Sequence, residues 1–220
     1  MEQPMHPTVE KIRDLGVVLV VRAKGDEATM KGIEAMIEGG VTAIEITFSV
    51  PNAIAVIKSV KERFGSNIIL GAGTVLNPSD AAGAVRAGAE YIVSPNTNPE
   101  VIGISKRLGV PVMPGAFTPT EVVNAWAAGA DVVKIFPASV GGPSYIKGLR
   151  GPLPHIPMMP TGGVNDKTAG PFIEAGAFAL WAGSNLFEKK LLAAEDYKGL
   201  TDLAKRFMAG VAEARAKLAK

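Results

Sequence analysis

Short apolar runs rich in β-branched residues alternate with longer amphipathic stretches along nearly the whole chain. The runs fall at 16–22, 42–48, 67–71, 91–94, 110–113, 131–136, 156–159 and 178–182. They are apolar at both odd and even positions, as strands covered on both faces must be. Eight strand–helix units in series predict a parallel sheet, closed or doubly wound.

Turn chemistry fixes the direction of the loops. Asn77-Pro78, Asn98-Pro99 and Thr118-Pro119 each set a capping side chain before a proline suited to a first helical turn, and each closely follows a predicted strand. Thr118 with Glu121 also reads as a capping box. Gly39-Gly40, Gly88, Gly109, Gly129 and Gly176 read as helix stops in the left-handed conformation. Eight units favour the (β/α)8 (TIM) barrel, an α/β fold, as one domain over residues 1–220. It would carry a short N-terminal helix and a charged outer helix over 197–220. Gly71-Ala72-Gly73 continues as Thr74-Val75-Leu76 without a third glycine, so a dinucleotide fingerprint is absent.

Composition narrows the function classes. The 220 residues fit one domain with a substantial core, and 47% apolar residues plus 25 glycines argue against disorder. Near balance of charge, 23 basic against 21 acidic residues, gives no electrostatic reason for a nucleic-acid or membrane partner. With no cysteine, disulfides, thiolate nucleophiles and thiolate metal sites are excluded. Of the two histidines, His6 and His155, one would have to serve any Ser-His-Asp triad. Met1-Glu2-Gln3-Pro4 lacks a basic n-region, and no apolar run approaches the ~18 residues of a membrane span, so the expected location is cytoplasmic.

The chemistry centres on polar residues inside predicted strands. Lys134 is the only lysine in one. Burial disfavours an ammonium, and a neutral amine can attack a ketone to form a Schiff base; the alternative is a lysine paired with a carboxylate at the barrel rim. Glu45 shares a strand face with Thr47 and Ser49, while Ile44, Ile46 and Phe48 take the other. If the apolar face lies under helices, Glu45 points inward, either to move protons or simply to neutralise Lys134. Arg22 has the parity of Val18 and Val20 and ends the first strand, where it either binds a carboxylate or phosphate or is a solvated rim residue. Thr161-Gly162-Gly163 and Gly183-Ser184-Asn185 follow the last two strands, where barrels often hold phosphate on backbone N–H groups.

Glu45-Ile46-Thr47-Phe48, Gly71-Ala72-Gly73-Thr74-Val75-Leu76, Ser94-Pro95, Met113-Pro114-Gly115, Lys134-Ile135-Phe136-Pro137, Pro160-Thr161-Gly162-Gly163 and Gly183-Ser184 occur in that order. Together they resemble the class I 2-keto-3-deoxy-6-phosphogluconate (KDPG) aldolases, which often also act on 4-hydroxy-2-oxoglutarate. The resemblance runs from about Val17 to Leu186. It implies a (β/α)8 barrel, a homotrimer, no metal or organic cofactor, and a small phosphorylated 2-keto acid as substrate. It gives Lys134 the Schiff base and Glu45 the acid/base role. Thr74 and Pro95 match positions lining the pyruvate end, and Phe136 matches the aromatic beside it. Gly162, Gly163, Gly183 and Ser184 match the phosphate turns, with Thr161 at their base.

Two departures stand out. Many members carry an arginine where this chain has Ser49, and the expectation is that Arg22 supplies the charge from the neighbouring strand. Trp181 is bulkier than the resemblance leads one to expect. Three functions stay open: an aldolase on KDPG with 4-hydroxy-2-oxoglutarate as a second substrate, the 6-phosphogalactonate epimer being the alternative main substrate; a phosphosugar epimerase or isomerase, which needs no strand lysine; and a non-catalytic phosphosugar-binding protein, which needs no lysine–glutamate pair.

Overall fold

A computed structural model describes residues 5–218. Met1-Glu2-Gln3-Pro4, read above for its missing n-region, lies outside the described residues, as do the last two positions of the predicted outer helix. In chain order the first half comprises α1 (Pro7–Leu15), β1 (Val17–Val21), α2 (Glu27–Glu38), β2 (Ala43–Thr47), α3 (Ala53–Phe64), β3 (Ile69–Gly73), α4 (Pro78–Arg86), β4 (Tyr91–Val93) and α5 (Pro99–Arg107). Then follow β5 (Val112–Met113), β6 (Gly115–Ala116), α6 (Pro119–Ala127), β7 (Val133–Ile135), α7 (Gly142–Arg150), β8 (Met158–Pro160), α8 (Ala169–Glu174), β9 (Leu180–Ala182), α9 (Lys189–Ala193) and α10 (Tyr197–Leu218). Among the described residues no helix is long and apolar enough to cross a membrane.

All strand pairs are parallel. They form a six-stranded sheet in the order β5-β4-β3-β2-β1-β9 and a three-stranded sheet in the order β6-β7-β8. The fifth strand, predicted over 110–113, resumes after an interruption at Pro114, which has no N–H to give to a ladder. Before it Met113 pairs with Val93, and after it Gly115 pairs with Lys134, so the chain passes there from one sheet to the other. At the opposite seam Thr161 makes an isolated parallel bridge to Trp181. The third strand runs to Gly73, two residues past its predicted end.

Alternation along the strands divides the apolar residues into two cores. Outward-facing Leu19, Ile44, Ile46 and Leu70 pack with helix residues such as Ile33, Ile57 and Phe172. Inward-facing Val18, Val20, Val93, Met113, Met159 and Trp181 form the second core, in the lumen between the two sheets. Val9 and Ile12 of α1 join this second core beside Ala43, Val132 and Ala179 at the strand starts, so α1 closes the N-terminal end of the lumen. Helix α1 starts at His6, whose Nδ1 accepts from the Thr8 N–H at 3.2 Å, and stops at left-handed Gly16.

The capping chemistry matches the sequence reading. Asn77, Asn98 and Thr118 accept from backbone N–H groups at the starts of α4, α5 and α6, and Glu121 completes the capping box. Gly40, Gly88, Gly109, Gly129 and Gly176 have positive φ, but Gly39 stays in the right-handed helical region and leaves the turn to Gly40. The outer helix α10 is not merely solvated: it buries Leu200, Leu203, Ala204, Phe207 and Val211.

Candidate active site

Lys134 and Glu45 enter the lumen from β7 and β2, and both are buried, at 5% and 1% exposure. The strand parity that puts Ile44 and Ile46 under the helices turns Glu45 inward. Burial pushes the Lys134 amine below the ordinary lysine value of 10.5, with repulsion from Arg22 acting the same way and the Glu45 charge acting against it. Burial likewise raises the Glu45 carboxyl above 4.5, opposed by Lys134, by a hydrogen bond from Trp181 and by Arg22. Their charges interact without a direct hydrogen bond, which leaves the amine free. The Lys134 Nζ lies 5.2 Å from the centre of the Phe136 ring.

Glycines make room for this arrangement. A β-carbon on Gly73 would overlap the Glu45 carboxylate, and one on Gly71 would overlap the Tyr91 ring. Both glycines face inward on β3, so the strand yields its lumen volume to neighbouring side chains. Pairing of Ala72 with Ile46 and of Gly73 with Thr47 carries β3 through residues that read as its end.

Three groups that sequence reasoning did not place as partners support Glu45. The Trp181 indole N–H donates to its Oε2 at 2.7 Å. The Tyr91 ring meets Trp181 edge-on, with centroids 6.4 Å apart, and its hydroxyl donates to the Ile44 carbonyl at 2.9 Å. Gly73 supplies the clearance. The available signal was parity: Tyr91 and Trp181 both fall on inward positions, and a small residue opposes Tyr91 in register at Gly71.

The remaining candidates lie at the C-terminal ends of the strands. Arg22 is exposed after β1, and its Nη1 would lie 3.9 Å from a β-carbon built on Gly183. That brings it to the turn after β9. Ser49 is also exposed, and its hydroxyl is hydrogen-bonded to Thr47 at 2.6 Å. Thr74 follows β3 with φ 57°, a left-handed conformation that a β-branched residue adopts only under strain. Pro95 follows β4, half-buried, with its backbone against Gly115.

Gly162 and Gly163 have φ of 94° and 72°, which only glycine adopts freely, and turn the chain back against Ala138 and Ser139. The Asn185 side chain donates to the Val164 carbonyl at 3.2 Å and ties this turn to Gly183-Ser184-Asn185. Thr161, at the base, has the inward parity of Met159. Its Oγ1 is the buried side-chain polar atom without a hydrogen-bond partner among the described residues.

The face of the strand N-termini is different. A cavity of about 1180 Å³ opens there, lined by residues including His6, Arg13, Trp126, Arg150, His155 and Arg215. Both histidines thus sit at the end remote from Lys134. A triad at the mouth has no histidine to use.

The chain is similar to known proteins over most of its length. A profile of the aldolases described as KDPG and KHG aldolase matches residues 8–203. A 2-dehydro-3-deoxy-6-phosphogalactonate aldolase of Escherichia coli is 35% identical over 174 residues, covering 79% of this chain and 85% of its own. A 2-dehydro-3-deoxy-phosphogluconate aldolase of Treponema pallidum is 32% identical over 199 residues, covering 90% and 93%. The crystal structure of the Legionella pneumophila KDPG aldolase, with pyruvate captured as a covalent carbinolamine, superposes with a TM-score of 0.84 at 25% identity, over 91% of this chain and 97% of its own.

Proposed function

The chain belongs to the KDPG and KHG aldolase family, whose members are lyases, and from that premise we propose that it is a class I aldolase using Lys134 as its Schiff-base amine. One observation carries the reading. A buried lysine with a lowered pKa faces the same lumen as a buried glutamate and forms no hydrogen bond with it. Such an amine keeps a neutral fraction below the pH at which an exposed lysine would.

The Lys134 nitrogen attacks C2 of the 2-keto acid. Glu45 supplies and removes the protons that carry the carbinolamine to an iminium with loss of water. Glu45, through a water, then takes the C4 hydroxyl proton as the C3–C4 bond breaks. The electron pair of that bond moves into the iminium and leaves an enamine of pyruvate. Protonation of the enamine at C3 and hydrolysis release pyruvate and restore Lys134.

With KDPG the second product is glyceraldehyde 3-phosphate, and with 4-hydroxy-2-oxoglutarate it is glyoxylate. Thr74, Pro95 and Phe136 line the pyruvate end. Gly162, Gly163, Gly183 and Ser184 cradle the phosphate with Arg22, and Thr161 sits at the base of that subsite. The identity to the Escherichia coli enzyme favours a second reading, in which the 6-phosphogalactonate epimer is the main substrate.

The fold reading extends the same way. The strand divided at Pro114 and the Thr161–Trp181 bridge support closure of the two sheets into a single (β/α)8 barrel domain. A homotrimer follows the family resemblance, and exposed Leu76 and Val140 offer apolar surface for contacts between copies.

Borohydride reduction in the presence of pyruvate, followed by peptide mass mapping, tests the mechanism. A reduced pyruvyl adduct on Lys134 is the expected result. No adduct, under conditions that trap a known class I aldolase, would overturn it.

A further inference from the structure

We propose that Trp181 is a positioning residue for Glu45: its indole N–H holds one carboxylate oxygen, so that proton exchange with the substrate runs through the other. The inference rests on the reading of Glu45 as the proton carrier. Trp181 is fully buried in the middle of β9, in register with Val18 of β1. Its ring is braced edge-on by Tyr91, and Tyr91 is itself fixed by its hydrogen bond to the Ile44 carbonyl, one residue before Glu45. The indole therefore has little freedom to turn away from Oε2, which it meets at 2.7 Å.

An indole N–H is a donor only. It holds Oε2 whether Glu45 is ionised or neutral, because a carboxylate oxygen and a carboxyl carbonyl oxygen both accept. A proton taken up by Glu45 then resides preferentially on Oε1, the oxygen facing Gly73. Among the described residues Trp181 is the one side chain that hydrogen-bonds to Glu45, and its bond opposes the burial that raises the carboxyl pKa. The bulk that set Trp181 apart in the sequence thus places a single fixed donor beneath the acid.

Trp181→Phe keeps an aromatic ring and removes the donor. The expected result is a folded protein that still gives the Lys134 adduct on long incubation with pyruvate and borohydride. Its kcat should fall about ten- to hundredfold with little change in KM, and the pH limb set by Glu45 should move upward. A folded variant with unchanged kcat and pH profile would overturn the proposal and leave Trp181 a core filler.

A second measurement does not depend on that variant folding. Trp126, the other tryptophan of the chain, lies at the remote cavity. In a Trp126→Phe protein the tryptophan emission reports Trp181 alone. It should show a pH step that Glu45→Gln abolishes, with the midpoint of the Glu45 limb of kcat. Absence of that step would also overturn the proposal. Failure of the aldolase reading would look different: wild-type protein would give no adduct on Lys134, and the proposal would fall with it.

Discussion

Gly73 and Glu45 are sterically coupled: a β-carbon on the glycine would occupy the space of the carboxylate. The third strand forgoes a side chain so that the second can carry an acid into the lumen. Gly73→Ala should therefore displace Glu45 from the Trp181 N–H and cost about 1–3 kcal/mol through overpacking. Turnover should fall with it, because a small displacement of a proton-transfer group is expensive in rate. Urea unfolding together with retro-aldol kinetics checks both. Parental stability with parental kcat would mean that the carboxylate is not pinned where the structure has it.

The burial of Lys134 and Glu45 has a stability cost with a defined pH signature. For Lys134, between the lowered folded value and 10.5 the unfolded chain binds a proton that the folded chain does not, so stability is lost as pH falls through that window. For Glu45, between 4.5 and the raised folded value the folded chain keeps a proton that the unfolded chain has released, so stability is lost as pH rises through that window. Both losses accumulate toward the middle of the pH range. The Lys134→Met/Glu45→Gln double variant removes both and should be inactive yet about 1–4 kcal/mol more stable at pH 7. Thermal unfolding from pH 4.5 to 10.5 would show the gain shrinking toward both ends. A double variant less stable than the parent at pH 7 would contradict the assignment.

The succession of parallel strands and helices, the caps of α4, α5 and α6, and the inward turn of Glu45 were legible because each depends on local pattern: an apolar run between amphipathic stretches, a capping side chain, parity along a strand. The division at Pro114 was not, because a proline near a strand end reads as a stop, and only the pairing on each side reveals that the strand continues. Nor was the support for Glu45. Residues 45, 73, 91 and 181 come from four strands, and which inward side chain fills the room left by which glycine depends on register between strands. Trp181 announced itself by size alone, and its partner was invisible until the strands were side by side.

Arg22 stands at the turn after β9, where it can supply the cation that Ser49 does not. Arg22→Ala should raise KM for a 6-phosphorylated substrate by about tenfold or more, the range for a hydrogen bond to a charged group. The effect on 4-hydroxy-2-oxoglutarate, which has no phosphate, should be much smaller. Steady-state kinetics on both substrates separate the two anions. An equal rise on both would move Arg22 to the substrate carboxylate, and an unchanged KM for the phosphorylated substrate would remove it from the site.

Thr161 presents the opposite situation to Trp181, since its hydroxyl is buried and has no hydrogen-bond partner among the described residues. A buried polar atom left without a hydrogen bond costs about 1–3 kcal/mol. A hydroxyl retained at that cost beside the Gly162-Gly163 turn is explained if substrate supplies the missing partner. Thr161→Val keeps the shape and discards the hydroxyl, so the ligand-free protein should be as stable as the parent or more so. Substrate should bind less well, with KM raised about two- to tenfold, as expected for one neutral hydrogen bond. Urea unfolding without ligand and KM for the phosphorylated 2-keto acid must move in these opposite senses. A destabilised ligand-free protein with unchanged KM would show that the hydroxyl serves the fold and not the substrate.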